Sequence, residues 1–384
     1  MSVTAARGFT ASGVHAGIRK SKLDLALVRS EQRATGAAMF TANRVQAAPV
    51  VVSREHLELA EPQAVVVNSG IANAATGQRG QLDARATAAE AARRLDLYAE
   101  EVLVLSTGVI GAHLPLHRVL RGLGAAAAAL SGEGGGAAAE AIMTTDTHPK
   151  QAVAAGRGFV VGGMAKGSGM IHPDLATMLA VVTTDYPLEP GEASEFLRPA
   201  VEESFNSISV DGECSTNDTV VLLANGASGA ARDDEAFRDA LSAVCRELAA
   251  QIVADGEGAT VVAEITVRGG ASSAEAKAIA RRIATSPLVK TALFGRDANW
   301  GRILAAAGSA PYNGGYAQLD PARLTLALNG VTVLERGAPS GDEPTLDGAD
   351  CTIELDLGLG DGAATYLTSD LSFDYVRINA EYRS

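Results

Sequence analysis

The chain has 384 residues, 47% hydrophobic and 20% charged, a globular composition long enough for one large or two ordinary domains. Its formal net charge of −13 argues against a surface for nucleic acid or anionic lipid, since both need clustered Lys and Arg. No segment reaches the roughly 18 uninterrupted apolar residues of a membrane span, and the N-terminus lacks the apolar run of a signal peptide, so a cytoplasmic protein is expected.

In chain order, residues 64–68 read as a buried strand and 82–95 as a helix with one apolar stripe. A strand at 101–106 runs into the loop Ser106-Thr107-Gly108-Val109-Ile110-Gly111. A helix over 115–130 and a glycine loop at 132–136 follow. A strand at 158–163 leads to a Gly-rich loop that carries Lys166. Beyond Thr177 the pattern predicts a strand to 183, a helix at 192–205, a strand at 218–224 and a helix at 233–254. Next come a strand at 258–268, a helix at 273–285, a strand at 288–294 and a short helix near 299–307. The last 60 residues turn to strands, so the expected class is α+β in layers rather than a strict parallel doubly wound sheet.

Most signatures of chemistry fail on inspection. Gly162-Gly-Met-Ala-Lys166-Gly-Ser168 places its lysine before the glycine, the wrong order for a phosphate loop. Gly358-Leu-Gly-Asp-Gly leads to more strand, with no helix N-terminus for a pyrophosphate. His113 and His117 have metal-ligand spacing, but Pro115 intervenes and no Glu accompanies them, so they read as surface or capping residues. Cys214, Cys245 and Cys351 lie far apart and read as reduced thiols. Any catalysis must then rest on hydroxyls, backbone donors, lysines and carboxylates. Thr177 alone reads as an ordinary strand residue or cap.

Separated blocks, taken together, change that reading. They are Thr41-Ala-Asn43 through Pro49, Val67-Asn68-Ser-Gly70, Ser106-Thr-Gly-Val-Ile-Gly111 and Met143-Thr-Thr-Asp-Thr147. Then come Gly163-Met-Ala-Lys-Gly-Ser-Gly-Met-Ile-His172-Pro173, Ala176-Thr-Met-Leu179, Val210-Asp-Gly212 and Ser215-Thr-Asn-Asp218. The last are Asp255-Gly-Glu-Gly-Ala-Thr260, Lys290-Thr-Ala with Asn299-Trp-Gly-Arg302, and Tyr375 through Arg383. In order and spacing the chain resembles the bacterial ornithine acetyltransferases, or glutamate N-acetyltransferases, of arginine biosynthesis. The resemblance runs from about residue 41 to the C-terminus.

It implies a layered αββα-type sandwich, cut by the protein itself between Ala176 and Thr177 into intertwined fragments, 1–176 and 177–384. Thr177 becomes the N-terminal nucleophile, and Thr107 with Gly108 forms the oxyanion hole. Substrate contacts fall on Thr144, Lys166, Thr177, Glu257, Asn379 and Ser384. The implied reaction moves acetyl from N2-acetyl-L-ornithine to L-glutamate with no metal or organic cofactor, and acetyl-CoA stays open as a second donor. Two copies of each fragment form the implied assembly. Departures from the family pattern are Ile71, Ala75, Val261 and the final Ser384, a serine where threonine is usual.

The residues allow a mechanism. A threonine hydroxyl is a weak nucleophile, but the carbonyl just before it is held within reach by the chain. Cleavage gives Thr177 an α-amine with an ordinary pKa of about 7.7–8.0, a built-in base for its own hydroxyl. Lys166 suits a substrate carboxylate, and Glu257 suits ornithine's ammonium. Two rivals remain at this stage: an N-terminal-threonine amidohydrolase of aminopeptidase type, and an uncleaved small-molecule binding protein.

Overall fold

The computed structural model describes residues 2–172 and 178–381, which divide into two compact units. Among the described residues, unit 1 takes 2–172, 178–206 and 213–252; unit 2 takes 207–212 and 253–381. These units are not the two expected fragments, because unit 1 draws on chain from both sides of the 176–177 bond.

In unit 1 the order is β1 (Phe9–Val14), β2 (Leu25–Ser30), β3 (Thr35–Phe40), α1 (Ala48–Leu59), β4 (Ala64–Ile71), α2 (Gly77–Leu95) and β5 (Val102–Val109). There follow α3 (Leu116–Ala128), α4 (Gly135–Ala141), β6 (Lys150–Ala155), β7 (Val160–Lys166), β8 (Leu179–Thr184) and α5 (Ala193–Glu202). After β9 (Ile208–Ser209), which belongs to unit 2, come β10 (Thr219–Ala224) and α6 (Asp234–Ala254). Among the described residues one sheet runs β1-β2-β4-β5 and another β3-β10-β8-β7-β6.

Alternation along each strand decides the layering. Leu25, Leu27, Ala64, Val66, Val102 and Val104 face α2 and α3, whose Ala88, Ala91, Val119 and Leu123 complete that core. Their neighbours Ala26, Val28, Val65, Val67, Leu103 and Leu105 turn the other way, toward Met164, Leu179, Val181 and Val221 of the second sheet. Strands buried on both faces read as unbroken apolar runs, which is why 64–68 was legible. Beyond the second sheet lies α6: a Cβ on Gly163 would come 3.0 Å from Leu248 and Val244. Helices, sheet, sheet, helices is the expected αββα sandwich, and it stands in unit 1.

Unit 2 carries a sheet ordered β16-β15-β14-β17-β11-β18-β9. Its strands are β11 (Val262–Gly270), β14 (Thr325–Leu328), β15 (Val331–Glu335), β16 (Ala338–Pro339), β17 (Asp350–Asp356) and β18 (Gly362–Ser369). The small hairpin β12 (Pro311–Tyr312) and β13 (Gly315–Tyr316) stands apart. One face packs on α7 (Ser273–Ala284), α8 (Pro287–Phe294) and α9 (Trp300–Ala307), while Thr352 and Glu354 on the other are exposed.

Four expectations need correction. Residues 287–294 are helical, with Pro287 at the first turn and Val289, Ala292 and Leu293 buried at helical spacing. An eight-residue apolar run does not by itself distinguish strand from helix. Thr107 and Gly108 lie within β5 rather than in a loop after it. The glycines of 132–136 run directly into α4. The chain also does not end in strands, because Phe373–Glu381 forms α10.

The second sheet interleaves the two sides of the 176–177 bond: β8 and β10 lie between β3 and β7. Breaking that bond leaves every ladder hydrogen bond in place. Protein cut there should run as one species in native buffer and separate into two masses only in denaturant. Fragments that part on native size exclusion would contradict this sheet order.

Candidate active site

The site is set by strand register. Lys166, last in β7, pairs with Leu179, first in β8, and Leu179 pairs with Thr219, first in β10. Leu179 is two residues past Thr177 in the sequence.

Thr107 comes from the facing sheet. Its hydroxyl oxygen accepts a hydrogen bond from Lys166 Nζ at 3.3 Å, and both side chains are buried. With its oxygen accepting, the Thr107 hydroxyl keeps its own proton to donate. Gly108 has φ +128°, and a Cβ there would sit 2.2 Å from the carbonyl carbon of Gly70, its partner in β4. Only glycine fits that approach. Asn217 fixes the strand just upstream: its Nδ2 donates to the carbonyls of Ser106 at 2.8 Å and Ala72 at 2.7 Å. Ser106 in turn donates to Asn68 Oδ1 at 2.6 Å.

Behind Lys166 lies Asp146. Its Oδ1 accepts from Lys150 Nζ and from the Gly167 N–H, each at 2.7 Å, and its Oδ2 accepts from the Thr144 N–H at 2.8 Å. Burial alone pushes this carboxyl up, but the ammonium groups of Lys166 and Lys150 and the bonds from Lys150 and Thr144 hold it well below the usual carboxylate range. Arg19 donates to the carbonyls of Met143 at 2.7 Å and Thr144 at 3.4 Å, which holds the half-buried Thr144 from the other side. Thr107, Gly108, Lys166 and Thr144 are thus drawn together through Asp146. Lys166 ends a strand and is buried, whereas the glycines around it had suggested an open loop.

Asp218 closes this end of the sheet. It is fully buried, and its Oδ1 accepts the Met178 N–H at 2.9 Å. Burial raises its carboxyl well above the usual range, against the Met178 bond, the Lys166 charge and the Ser215 and Thr41 hydroxyls.

In unit 2, Asn379 Nδ2 donates to Glu257 Oε2 at 2.8 Å. The turn holding Glu257 docks on the start of α10, where Ser372 donates to the Gly258 carbonyl at 2.6 Å. A Cβ on Gly258, whose φ is +70°, would meet the Tyr375 nitrogen at 2.5 Å, so glycine beside Glu257 has a steric cause. Ala176, Thr177 and Ser384 lie outside the described residues. His113 and His117 are exposed, and among the described residues no group of metal-ligating side chains converges. No helix among those residues is long and apolar enough to cross a membrane.

Asp146, Lys150, Asn217 and Asp218 had no assigned role from sequence. Lys150 stands four residues after Asp146, the one local signal available. Lys290 was also missed: buried, it donates to Thr368 Oγ1 at 2.9 Å and to the Ser369 carbonyl, tying α8 to β18. Its amine is lowered to about 8 by burial, partly offset by Asp211 and Asp370.

The sequence profile of the ArgJ family matches residues 10–384. The chain belongs to the ArgJ family. It is 48% identical over 400 residues to the arginine biosynthesis bifunctional protein ArgJ of Symbiobacterium thermophilum, covering 100% of this chain and 98% of that one. Against the protein of the same name from Mycolicibacterium paratuberculosis it is 48% identical over 394 residues, covering 100% of this chain and 96% of the relative. Among solved structures, the ornithine acetyltransferase of Mycobacterium tuberculosis complexed with ornithine is 43% identical, with a TM-score of 0.41. That match covers 45% of this chain and 94% of the other. The family expected from the ordered blocks is therefore the family found.

In this ArgJ family member the Asp146–Lys150 pair, whose side chains are wholly buried, makes a direct test of the frame. Asp146→Asn removes the buried negative charge beside Lys150 and Lys166 and should cost about 3–5 kcal/mol in chemical denaturation. Because the folded carboxyl is held low, its contribution is complete above about pH 4, the unfolded value, and is lost only as pH falls below it. An unchanged denaturation midpoint in Asp146→Asn would remove the pair from the frame.

Proposed function

We propose that the protein cuts itself before Thr177 and then carries acetyl from N2-acetyl-L-ornithine to L-glutamate as an ester on that threonine. The observation that carries this reading is the buried Thr107–Lys166 contact at 3.3 Å, set where Lys166 pairs with Leu179. A hydroxyl and an ammonium stand together where the strand partner of Lys166, Leu179, follows Thr177 by two positions in the sequence. Membership of the ArgJ family supplies the pathway.

In the first stage the Thr177 oxygen attacks the Ala176 carbonyl, the C–N bond breaks, and its nitrogen takes the proton as the new amine. Water hydrolyses the ester and frees the Ala176 carboxylate. In turnover the neutral amine accepts the hydroxyl proton while the oxygen attacks the acetyl carbonyl. The same proton passes to ornithine's nitrogen as that amide bond breaks. Glutamate's amine then attacks the ester and returns the hydroxyl. Each tetrahedral oxygen is met by the Thr107 hydroxyl and the Gly108 N–H, donors already fixed before the reaction.

Lys166 takes the α-carboxylate common to both amino acids, beside Thr144. Glu257, held by Asn379, takes a side-chain ammonium, and Ser384 belongs with the same substrate contacts. The reaction runs without a cofactor, with acetyl-CoA as a second donor, in the cytoplasm, and in an assembly of two copies of each fragment. Native mass of the purified protein tests that assembly.

Intact mass tests the first stage: wild-type protein should give fragments 1–176 and 177–384, and Thr177→Ala should stay one chain. Active protein of full-length mass only would end this reading in favour of uncleaved binding or another nucleophile. Thr107→Ala should lower turnover by roughly 10²–10³, the usual cost of one lost donor. With acetylornithine alone the second fragment should gain one acetyl mass, and glutamate should remove it. An ester that empties equally fast in water would make the protein a hydrolase.

A further inference from the structure

Asp218 has a role that the proposed chemistry leaves unused. It sits just before β10, and its own carbonyl accepts the Thr41 N–H at 3.0 Å, so its backbone is fixed from the β3 side. Its Oδ1 holds the Met178 N–H at 2.9 Å, while the Thr219 N–H donates to the Met178 carbonyl at 3.2 Å. Met178 is thereby gripped at both its nitrogen and its oxygen. The second carboxyl oxygen, Oδ2, is buried as well, and the hydroxyls of Ser215 and Thr41 and the charge of Lys166 act on the same carboxyl.

Once the bond before Thr177 is broken, that threonine has a single covalent neighbour, Met178. A chain terminus frays unless it is tied down. The tie at Met178 is the nearest described constraint on the nucleophile.

We propose that Asp218 is a positioning residue: its Oδ1, by holding the Met178 N–H, fixes the residue to which the nucleophile is bonded. The proposal rests on Thr177 as nucleophile. Asparagine keeps an acceptor for Met178 without any charge, so it separates positioning through that hydrogen bond from a need for carboxylate.

The test compares Asp218→Ala and Asp218→Asn with the wild-type protein, whose cleavage and activity report separately on the Thr177 chemistry. Asp218→Ala should slow both self-cleavage and kcat by on the order of 10²-fold, the scale of misplacing a reacting group, with KM for acetylornithine little changed. Asp218→Asn should recover at least ten-fold over Ala in both. Cleavage and kcat near wild type in Asp218→Ala would overturn the proposal. So would an Asn variant that keeps the wild-type thermal midpoint yet fails to cleave, because a carboxylate would then be required. If the Ala variant does not fold, the Asn result alone decides.

Discussion

The buried carboxylate of Asp146 is the constraint on which the site depends. Placing an ammonium in a protein interior is costly unless it is paired and hydrogen-bonded. Asp146 meets that requirement for Lys150 directly and supplies the counter-charge near Lys166, while its remaining lone pairs take the N–H groups of Gly167 and Thr144. Lys166 reaches Thr107. Lys150 and Lys166 thus stand near one buried carboxylate in a chain whose net charge is −13. Under the proposed chemistry that region receives the substrate carboxylate and the developing oxyanion.

The second constraint is the interleaving of strands. A nucleophile that is useful only as a chain terminus requires the backbone to be cut in the middle of a folded domain. The β7–β8 connection can be lost because Lys166 and Leu179 are joined by the antiparallel ladder as well as by the chain. The strands on either side of the ladder, β6 and β10, continue the sheet outward. Removing the connection changes the unfolded state more than the folded one, since two free pieces have more freedom than one closed loop.

Legibility in the sequence followed locality. Residues 64–68 could be read because a strand buried on both faces must be apolar throughout. Helices such as 234–254 could be read from their own periodicity. Lys166 was misjudged because its neighbours Gly167, Ser168 and Gly169 look like a solvated loop, and the partner that permits its burial is 20 residues upstream at Asp146. Asp218 was invisible as a site residue because what it holds, Met178, is 40 residues away and becomes adjacent only through the β8–β10 pairing. Glu257 was named as a candidate without its partner being visible, because Asn379 is 122 residues distant. The ordered blocks carried these residues without explaining them.

Those blocks have physical causes that differ from one to the next. Gly108 is a glycine because a Cβ there would strike the backbone of Gly70, whereas a Cβ on Gly70 would meet the Arg19 side chain at 2.8 Å. Asn217 is an amide because two carbonyls from different segments, Ala72 and Ser106, need donors at one point, and the two N–H bonds of one Nδ2 meet both. Replacing Gly70 or Asn217 would shift Thr107 without touching any group that the proposed chemistry uses. Much of the sequence pattern around this site therefore records where the strand ends must be held. The reacting groups are few, and a weak hydroxyl nucleophile makes the accuracy of that frame part of the chemistry.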